Sequence, residues 1–415
     1  SDKPYMTPDG RYIAFSTQAP NLAPGAPSYP AVCIRDLFAG TTWYHERGTY
    51  GAVDMGLNPG VAHFTYGGAG GHLGTIHMRD FYADFDFFSV LADSDQYVYN
   101  DLGNVVYIYN EQVGSQTYSQ IWKYSGSWGN PATTNFRVSN ATTGGAGYGM
   151  SYGVAATPLQ NLVAFVSYAS NLVENDTNNK PDLFVVPCSR MSAGTVERIP
   201  LPTEDYDTIS RPSVSYDGRY IAYALGKSGT EYGTVVSIYV YDRTLHQTVE
   251  VESGIQVQSS ASPAISQQAN AIAYTRCDKG ISQIYCRELK LAGNGAMSVG
   301  DAVFMSKSNV GKPGNNHSYA PVISGEGSLV TYASDASNLV PGDTNNCRDI
   351  FMNLNPTGAL ARSVRATHGD PVDLETGEEE HHALTDLTVY NPVGPGVSFS
   401  RSYSTKHAKH EYCTP

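Results

Sequence analysis

Arg211-Pro212-Ser213-Val214-Ser215-Tyr216-Asp217-Gly218-Arg219-Tyr220-Ile221-Ala222-Tyr223 is a tight turn running straight into an apolar strand, and the phrase returns along most of the chain. It reads RYIAF from Arg11, VAHFTY from Val61, NVVYIY from Asn104, NLVAFV from Asn161, RYIAYA from Arg219, NAIAYT from Asn270 and SLVTYA from Ser328. Turn residues precede most copies: Asp9-Gly10, Pro59-Gly60, Leu102-Gly103, Asp217-Gly218 and Glu326-Gly327. A second strand follows each copy: AVCIRD from Ala31, GTIHMRD from Gly74, SQIWKY from Ser119, DLFVVP from Asp182, SIYVYD from Ser237, SQIYCRE from Ser282 and DIFMNL from Asp349. Units of about 45–60 residues have the length of one four-stranded propeller blade. Their mixture of β-branched, aromatic and small residues suits strands buried on both faces between neighbouring blades. The expectation is an all-β chain: a seven-bladed β-propeller followed by a C-terminal β-strand-rich tail.

The repeat resembles the TolB-like (WD40-like) propeller repeat, whose consensus is a Pro, a Ser-Pro-Asp-Gly turn and then such a strand. Arg211–Tyr223 follows it nearly throughout, and Thr7-Pro8-Asp9-Gly10 matches the turn itself. The resemblance covers residues 1–366, with blades expected near 4–50, 51–94, 95–147, 148–209, 210–259, 260–316 and 317–366. It implies a fold and no particular task, because propellers of this kind serve as docking platforms, peptidase lids and scaffolds.

Composition narrows the partners. With 26 basic and 39 acidic residues the net charge is −13, which disfavours nucleic acid and anionic membranes. Charged residues make up only 16% of the chain, so it is not a disordered acidic polymer. No apolar run is long enough to span a bilayer. The chain opens at Ser1 without an initiator Met or a signal peptide, as either a processed product or a trimmed piece would, so its N-terminus does not speak to export.

Past residue 366 the pattern changes. Thr367-His368-Gly369-Asp370-Pro371-Val372-Asp373-Leu374-Glu375-Thr376-Gly377-Glu378 leads into Asp386–Pro392, and then into Gly394-Pro395-Gly396-Val397-Ser398-Phe399-Ser400-Arg401-Ser402-Tyr403. This resembles the opening of the shell in Rhs/YD-repeat (teneurin-like) proteins, a large secreted or surface family. The YD repeats that would follow are absent from this sequence, so any toxin or protease activity of such shells does not carry over. The resemblance implies an extracellular or cell-surface location. It also implies that residues 367–415 offer strands in need of partners, with Leu387, Val389, Tyr390, Val397, Phe399 and Tyr403 in the strand-like stretches.

Two loops share one order: Ser170-Asn171-Leu172-Val173, then Asp176-Thr177-Asn178-Asn179 and Asp182; and Ser337-Asn338-Leu339-Val340, then Asp343-Thr344-Asn345-Asn346 and Asp349. Oxygen side chains at positions one, three and seven suit a hard cation such as Ca2+, giving candidate ligands Asp176, Asn178, Asp182, Asp343, Asn345 and Asp349. The same residues also suit plain Asx-turns that fix the entry to a strand.

Six cysteines occur without a zinc-type pair. Cys277 and Cys286 lie on neighbouring strands of one unit, where cross-strand Cβ atoms come within roughly 4.5–5.5 Å, so a disulfide is expected. Two buried thiols are the alternative. The Rhs-like tail and the tyrosine-rich, lysine-poor composition favour export and the bridge.

Enzyme signatures are weak. Gly149-Met150-Ser151-Tyr152-Gly153 fits a nucleophile elbow but falls where a blade begins, not at a strand-to-helix turn. Glu378–His382, His72 and His77 lack the spacing of a known zinc site. The expectation is a non-catalytic structural or interaction protein that binds copies of itself through its tail, with the tail folding back onto its own propeller as the other course. The alternatives are a propeller binding glycan or peptide on an aromatic loop at Trp122–Trp128, or a scaffold domain processed from a larger Rhs/YD-repeat protein.

Overall fold

The structure is a computed structural model. It describes residues 1–17, 19, 22, 31–44, 104–127, 130–230, 233–258, 260–293 and 295–357, and the backbone of the strands within 53–100 and 380–404. Every regular element among these residues is a strand, and every pairing is antiparallel.

Seven sheets follow one another along the chain. Sheet 1 holds Asp2–Met6, Tyr12–Thr17, Ala31–Asp36 and Thr41–Tyr44. Sheet 2 holds Val53–Met55, Val61–Gly67, Gly74–Asp80 and Phe85–Ala92. Sheet 3 holds Tyr97–Asn100, Asn104–Val113, Gln116–Ser127 and Asn130–Arg137. Sheet 4 holds Ser151–Ala156, Leu162–Ser167, Asp182–Pro187 and Glu197–Arg198. In sheet 5, Thr208–Ile209 and Ser213–Val214 both pair with Tyr220–Thr230, which is followed by Gly233–Asp242 and Gln247–Val257. Thr208–Ile209 therefore joins sheet 5, although the expected boundary put it at the end of the fourth unit. Sheet 6 holds Ala264–Ile265, Ala271–Asp278, Ile281–Leu291 and Met297–Phe304, and sheet 7 holds Ser318–Ile323, Leu329–Ser334 and Asp349–Leu354. Glu380–Val389 and Val397–Ser404 form a separate two-stranded ladder.

Burial on both faces follows from the alternation of each second strand. Leu162, Ala164 and Val166 pack toward sheet 5, with Ile221, Tyr223 and Tyr241. Val163 and Phe165 pack the other way, with Val106, Ile108 and Ile121 of sheet 3. Similar cores fill the spaces between sheets 5 and 6 and between sheets 6 and 7. A further core joins the first sheet to the seventh: Met6, Ile13, Phe15 and Cys33 of sheet 1 meet Val322, Leu329 and Ile350 of sheet 7.

An aromatic tier runs through this packing. Phe165 opposes Phe184, Tyr223 opposes Tyr239, Tyr274 opposes Tyr285 and Tyr332 opposes Phe351, each pair in register across the second and third strands of a sheet. Ring centroids in these pairs lie 5.7–6.2 Å apart. Trp122 fills the same position in sheet 3 opposite Tyr107, with Arg137 over its ring at 5.4 Å. It therefore sits within a strand rather than in a loop. Trp128 lies outside the described residues.

Candidate functional site

The Asp-Thr-Asn-Asn loops fold as Asx-turns. Asn178 accepts the Lys180 N–H on Oδ1 at 2.9 Å and donates from Nδ2 to Asp182 at 3.1 Å. Asn345 does the same with the Cys347 N–H at 2.7 Å and Asp349 at 2.8 Å. Each Asn oxygen thus accepts one backbone N–H within its own loop. In the first loop the Arg198 guanidinium stands 3.4 Å from Asp176 and 3.7 Å from Asp182. Burial and the Asp176 charge raise the Asp182 carboxyl above its ordinary range. Among the described residues no three His, Cys, Asp or Glu side chains gather in one place.

The Ser-Asn-Leu-Val half of the motif has a different role, which the sequence did not disclose. Asn171 accepts the Tyr148 N–H at 2.8 Å and donates to the Ala146 carbonyl at 3.1 Å. Asn338 accepts the Asn315 N–H at 2.9 Å and donates to the Pro313 carbonyl at 2.8 Å. Both loops are also gripped from the preceding sheet. Gln120 donates to the Gly147 carbonyl at 3.0 Å and accepts the Ser139 hydroxyl at 2.8 Å. Gln283 donates to the Gly314 carbonyl at 2.8 Å and accepts the Ser306 hydroxyl. The signal was the Ser-Gln-Ile shared by the strands from Ser119 and Ser282. The doubled motif is a clasp between sheets 3 and 4 and between sheets 6 and 7.

The expected disulfide is corrected by register. Cys277 pairs with Ser282 and Cys286 with Ala273, so the two cysteines sit four residues apart along the hairpin, roughly 13 Å. Both are free thiols, as are Cys33, Cys188 and Cys347, and Cys413 lies outside the described residues. Burial pushes the Cys286 thiol up to about 12, and the Cys33 and Cys188 thiols up to about 11, which keeps them protonated and unreactive.

Ser151 of the elbow-like sequence is fully buried at the start of a strand, with its hydroxyl on Ser167 Oγ at 3.0 Å. No helix follows it, so it has none of the exposure a nucleophile needs. His72, Glu378, Glu379 and Tyr390 lie outside the described residues, as do the side chains of His77, Glu380, His381, His382, Leu387, Val389, Val397, Phe399 and Tyr403. Their backbone places Leu387 opposite Phe399 and Val389 opposite Val397.

The turns ahead of the second strands gather around a recess of about 610 Å3. They are stitched together backbone to backbone. Tyr216 N–H donates to the Gln267 carbonyl at 2.9 Å, Gln268 N–H to the Gly325 carbonyl at 3.0 Å and Gly325 N–H to the Pro8 carbonyl at 2.8 Å. The chain of bonds thus passes from sheet 5 through sheets 6 and 7 to sheet 1. Asp9, Asp217 and Glu326 line the recess with exposed carboxylates, and Tyr216 is 45% exposed beside them. One oxygen of Asp217 is occupied, accepting the Ser215 hydroxyl at 2.6 Å and the Arg219 N–H at 3.0 Å. The Arg219 guanidinium is held by Asp242, at 3.0 and 2.7 Å, so the recess keeps an acidic rim.

No family model and no curated protein sequence matches the chain. Among solved structures it is similar to the β-propeller domain of the Trilobed protease from Pyrococcus furiosus, at 12% identity and a TM-score of 0.52, covering 85% of this chain and 94% of that one. That match shows the fold, a β-propeller, and nothing more. It is also similar to the tricorn protease (12% identity, TM-score 0.45, 72% of this chain and 30% of that one). TolB from Acinetobacter baumannii is a third (16% identity, TM-score 0.37, 73% of this chain and 56% of that one). The chain thus spans less than two thirds of the length of these last two proteins.

Proposed function

We propose that this chain is a non-catalytic building block carried outside the cell or on its surface. In this reading its seven sheets close into one ring over residues 1–366, and residues 367–415 join copies to one another. The observation that carries the assembly is the ladder of Glu380–Val389 with Val397–Ser404, a sheet of only two strands. Among the described residues both its outer edges lack a neighbour, and such edges pair with other chains unless covered. Ring closure is supported by the core between sheets 1 and 7 and by the Gly325–Pro8 hydrogen bond. Every sheet is cut from one continuous stretch of chain, so the ring would close without a shared strand. The trilobed protease's propeller domain is described as having such an open velcro topology. The proteolytic activity of the similar proteins is not part of the proposal.

Light scattering on the full chain should find species well above 44.7 kDa. A chain ending at residue 366 should be folded and monomeric. A full chain that stays monomeric at high concentration would refute the assembly.

A second reading rests on the acidic recess. Its three carboxylates beside the exposed Tyr216 suit a peptide carrying Lys or Arg better than a neutral glycan. Calorimetry with a short basic peptide against wild type and Asp217→Asn tests it, and equal heats from the two proteins would reject it.

A further inference from the structure

One histidine holds the seam between sheets 6 and 7 through a bond that only its neutral ring can make. The outer strand Met297–Phe304 pairs with Ile281–Leu291 only as far as Tyr285. Beyond that point, side chains of the loop leading to sheet 7 take the N–H groups on the same edge. Ser306 Oγ accepts from Ile284 at 2.9 Å, and His317 Nδ1 accepts from Ser282 at 3.0 Å. His317 stands directly before the inner strand Ser318–Ile323, so its ring ties the entry of sheet 7 to the hairpin of sheet 6. The clasp between sheets 3 and 4 has the same frame with different residues. Ser139 Oγ accepts the Ile121 N–H at 3.0 Å, as Ser306 does for Ile284. Met150 holds the place of His317: the Tyr168 N–H donates to the Met150 carbonyl at 3.0 Å, and the Asp335 N–H to the His317 carbonyl at 2.9 Å. A histidine and an aspartate thus stand where a methionine and a tyrosine stand three sheets earlier.

We propose that His317 is a pH-operated latch: neutral, it holds the Ser282 N–H of sheet 6, and on gaining a proton it lets go and turns to the Asp335 carboxylate within sheet 7. The latch does not depend on the assembly proposed above. An imidazole nitrogen that accepts an N–H carries no proton, and a proton placed there would set two donors face to face. Imidazole is also the side chain whose ordinary titration falls between about pH 5 and 8. The His317 ring lies against Tyr319, with centroids 5.9 Å apart, and the Arg348 guanidinium stands over the same tyrosine at 4.5 Å. Arg348 in turn grips Asp335 at 2.9 and 3.2 Å. Burial would raise the Asp335 carboxyl, but Arg348 outweighs it and holds it below the ordinary 3.8, so Asp335 keeps its charge while His317 titrates. From sheet 6 the hairpin brings Arg276 and Asp278, bonded to each other at 2.9 Å, with Lys279 at its tip and Cys277 opposite Ser282. The loop itself carries Lys307 and Lys312.

Amide hydrogen exchange in the full chain, read on peptides covering Ser282 and corrected for the intrinsic rate at each pH, tests the latch. Lowering the pH from about 7.5 to about 5.5 should cut the protection of Ser282 about tenfold in wild type. His317→Gln keeps an acceptor that does not titrate, and should hold the same protection at both pH values. His317→Met, which copies Met150, should lack that protection at both. The peptide containing Ile121, in the clasp between sheets 3 and 4, should not respond to pH in any of the three proteins. Equal protection of Ser282 at the two pH values in wild type would overturn the latch. So would the wild-type loss repeated in His317→Gln, or full protection in His317→Met. A parallel loss at Ile121 would overturn it too, by showing that acid loosens the whole fold rather than this seam.

Discussion

Gly10, Gly218 and Gly327 share one place in the repeated turn and one backbone conformation, with φ of 71°, 72° and 74°. Gln160 and Ala269 hold the same place at 50° and 53°, where a side chain is strained. Gln160 is tied in by its side chain, which donates to the Val98 and Asn104 carbonyls at 2.9 and 3.1 Å. At Gly10 a Cβ would lie 2.6 Å from Leu329 Cδ1 across the seam between sheets 1 and 7, so the leucine's end would have to shift as well. Gly10→Ala should cost about 2 kcal/mol in urea denaturation, against about 1 kcal/mol for Gly144→Ala, where the added methyl meets open space.

A second residue-scale device recurs in the Arg-Tyr copies. Arg11 grips Asp36 and Arg219 grips Asp242, each with two hydrogen bonds, and each carboxylate also accepts two backbone N–H groups just beyond its strand. Burial would raise these carboxyls, but the arginines and N–H groups outweigh it and hold both below the ordinary value of 3.8. A depressed carboxyl stabilises the fold above its unfolded pKa and loses that contribution as pH falls through the folded one. Asp242→Ala should therefore cost about 2 kcal/mol at pH 7 and show a shallower loss of stability than wild type below about pH 4.

At the scale of elements, strands and turns were legible because a two-residue alternation repeats with Gly-bearing turns between the runs. Register was not legible. The turn of Lys279 and Gly280, with φ of 50° and 86°, is a two-residue hairpin turn, and it sets Asp278 against Ile281. Composition alone gives Cys277 and Cys286 adjacent strands, and only the turn decides that they stand too far apart. The loops show the same limit: spacing can nominate ligands, but it cannot say that each Asn is tied into an Asx-turn or that Arg198 arrives from another strand. Calcium at about 1 mM should leave the melting temperature of the wild-type chain unchanged. Arg198→Met should lower stability by about 1 kcal/mol at neutral pH. Because the Asp182 carboxyl is already raised, stability gains as pH falls through its folded value, so the deficit should shrink in mild acid.

For the whole molecule, the net charge of −13 bears on self-association. Copies repel one another through water, and that repulsion is screened within about 10 Å at 0.1 M salt. Raising salt from about 20 mM to about 300 mM should enlarge the assembled fraction seen by light scattering, whereas contacts dominated by opposite charges would weaken.

Among the described residues no sheet borrows a strand from another, so each repeat is a self-contained length of chain joined to its neighbours by side-chain packing and single turn-to-turn bonds. The ring proposed above therefore has no privileged starting point. Termini moved to the loop between sheets 4 and 5, with residues 1 and 357 linked, would cut no ladder. A lineage of such chains could likewise gain or lose a whole repeat by unequal crossing-over and need to mend only the two junctions beside it.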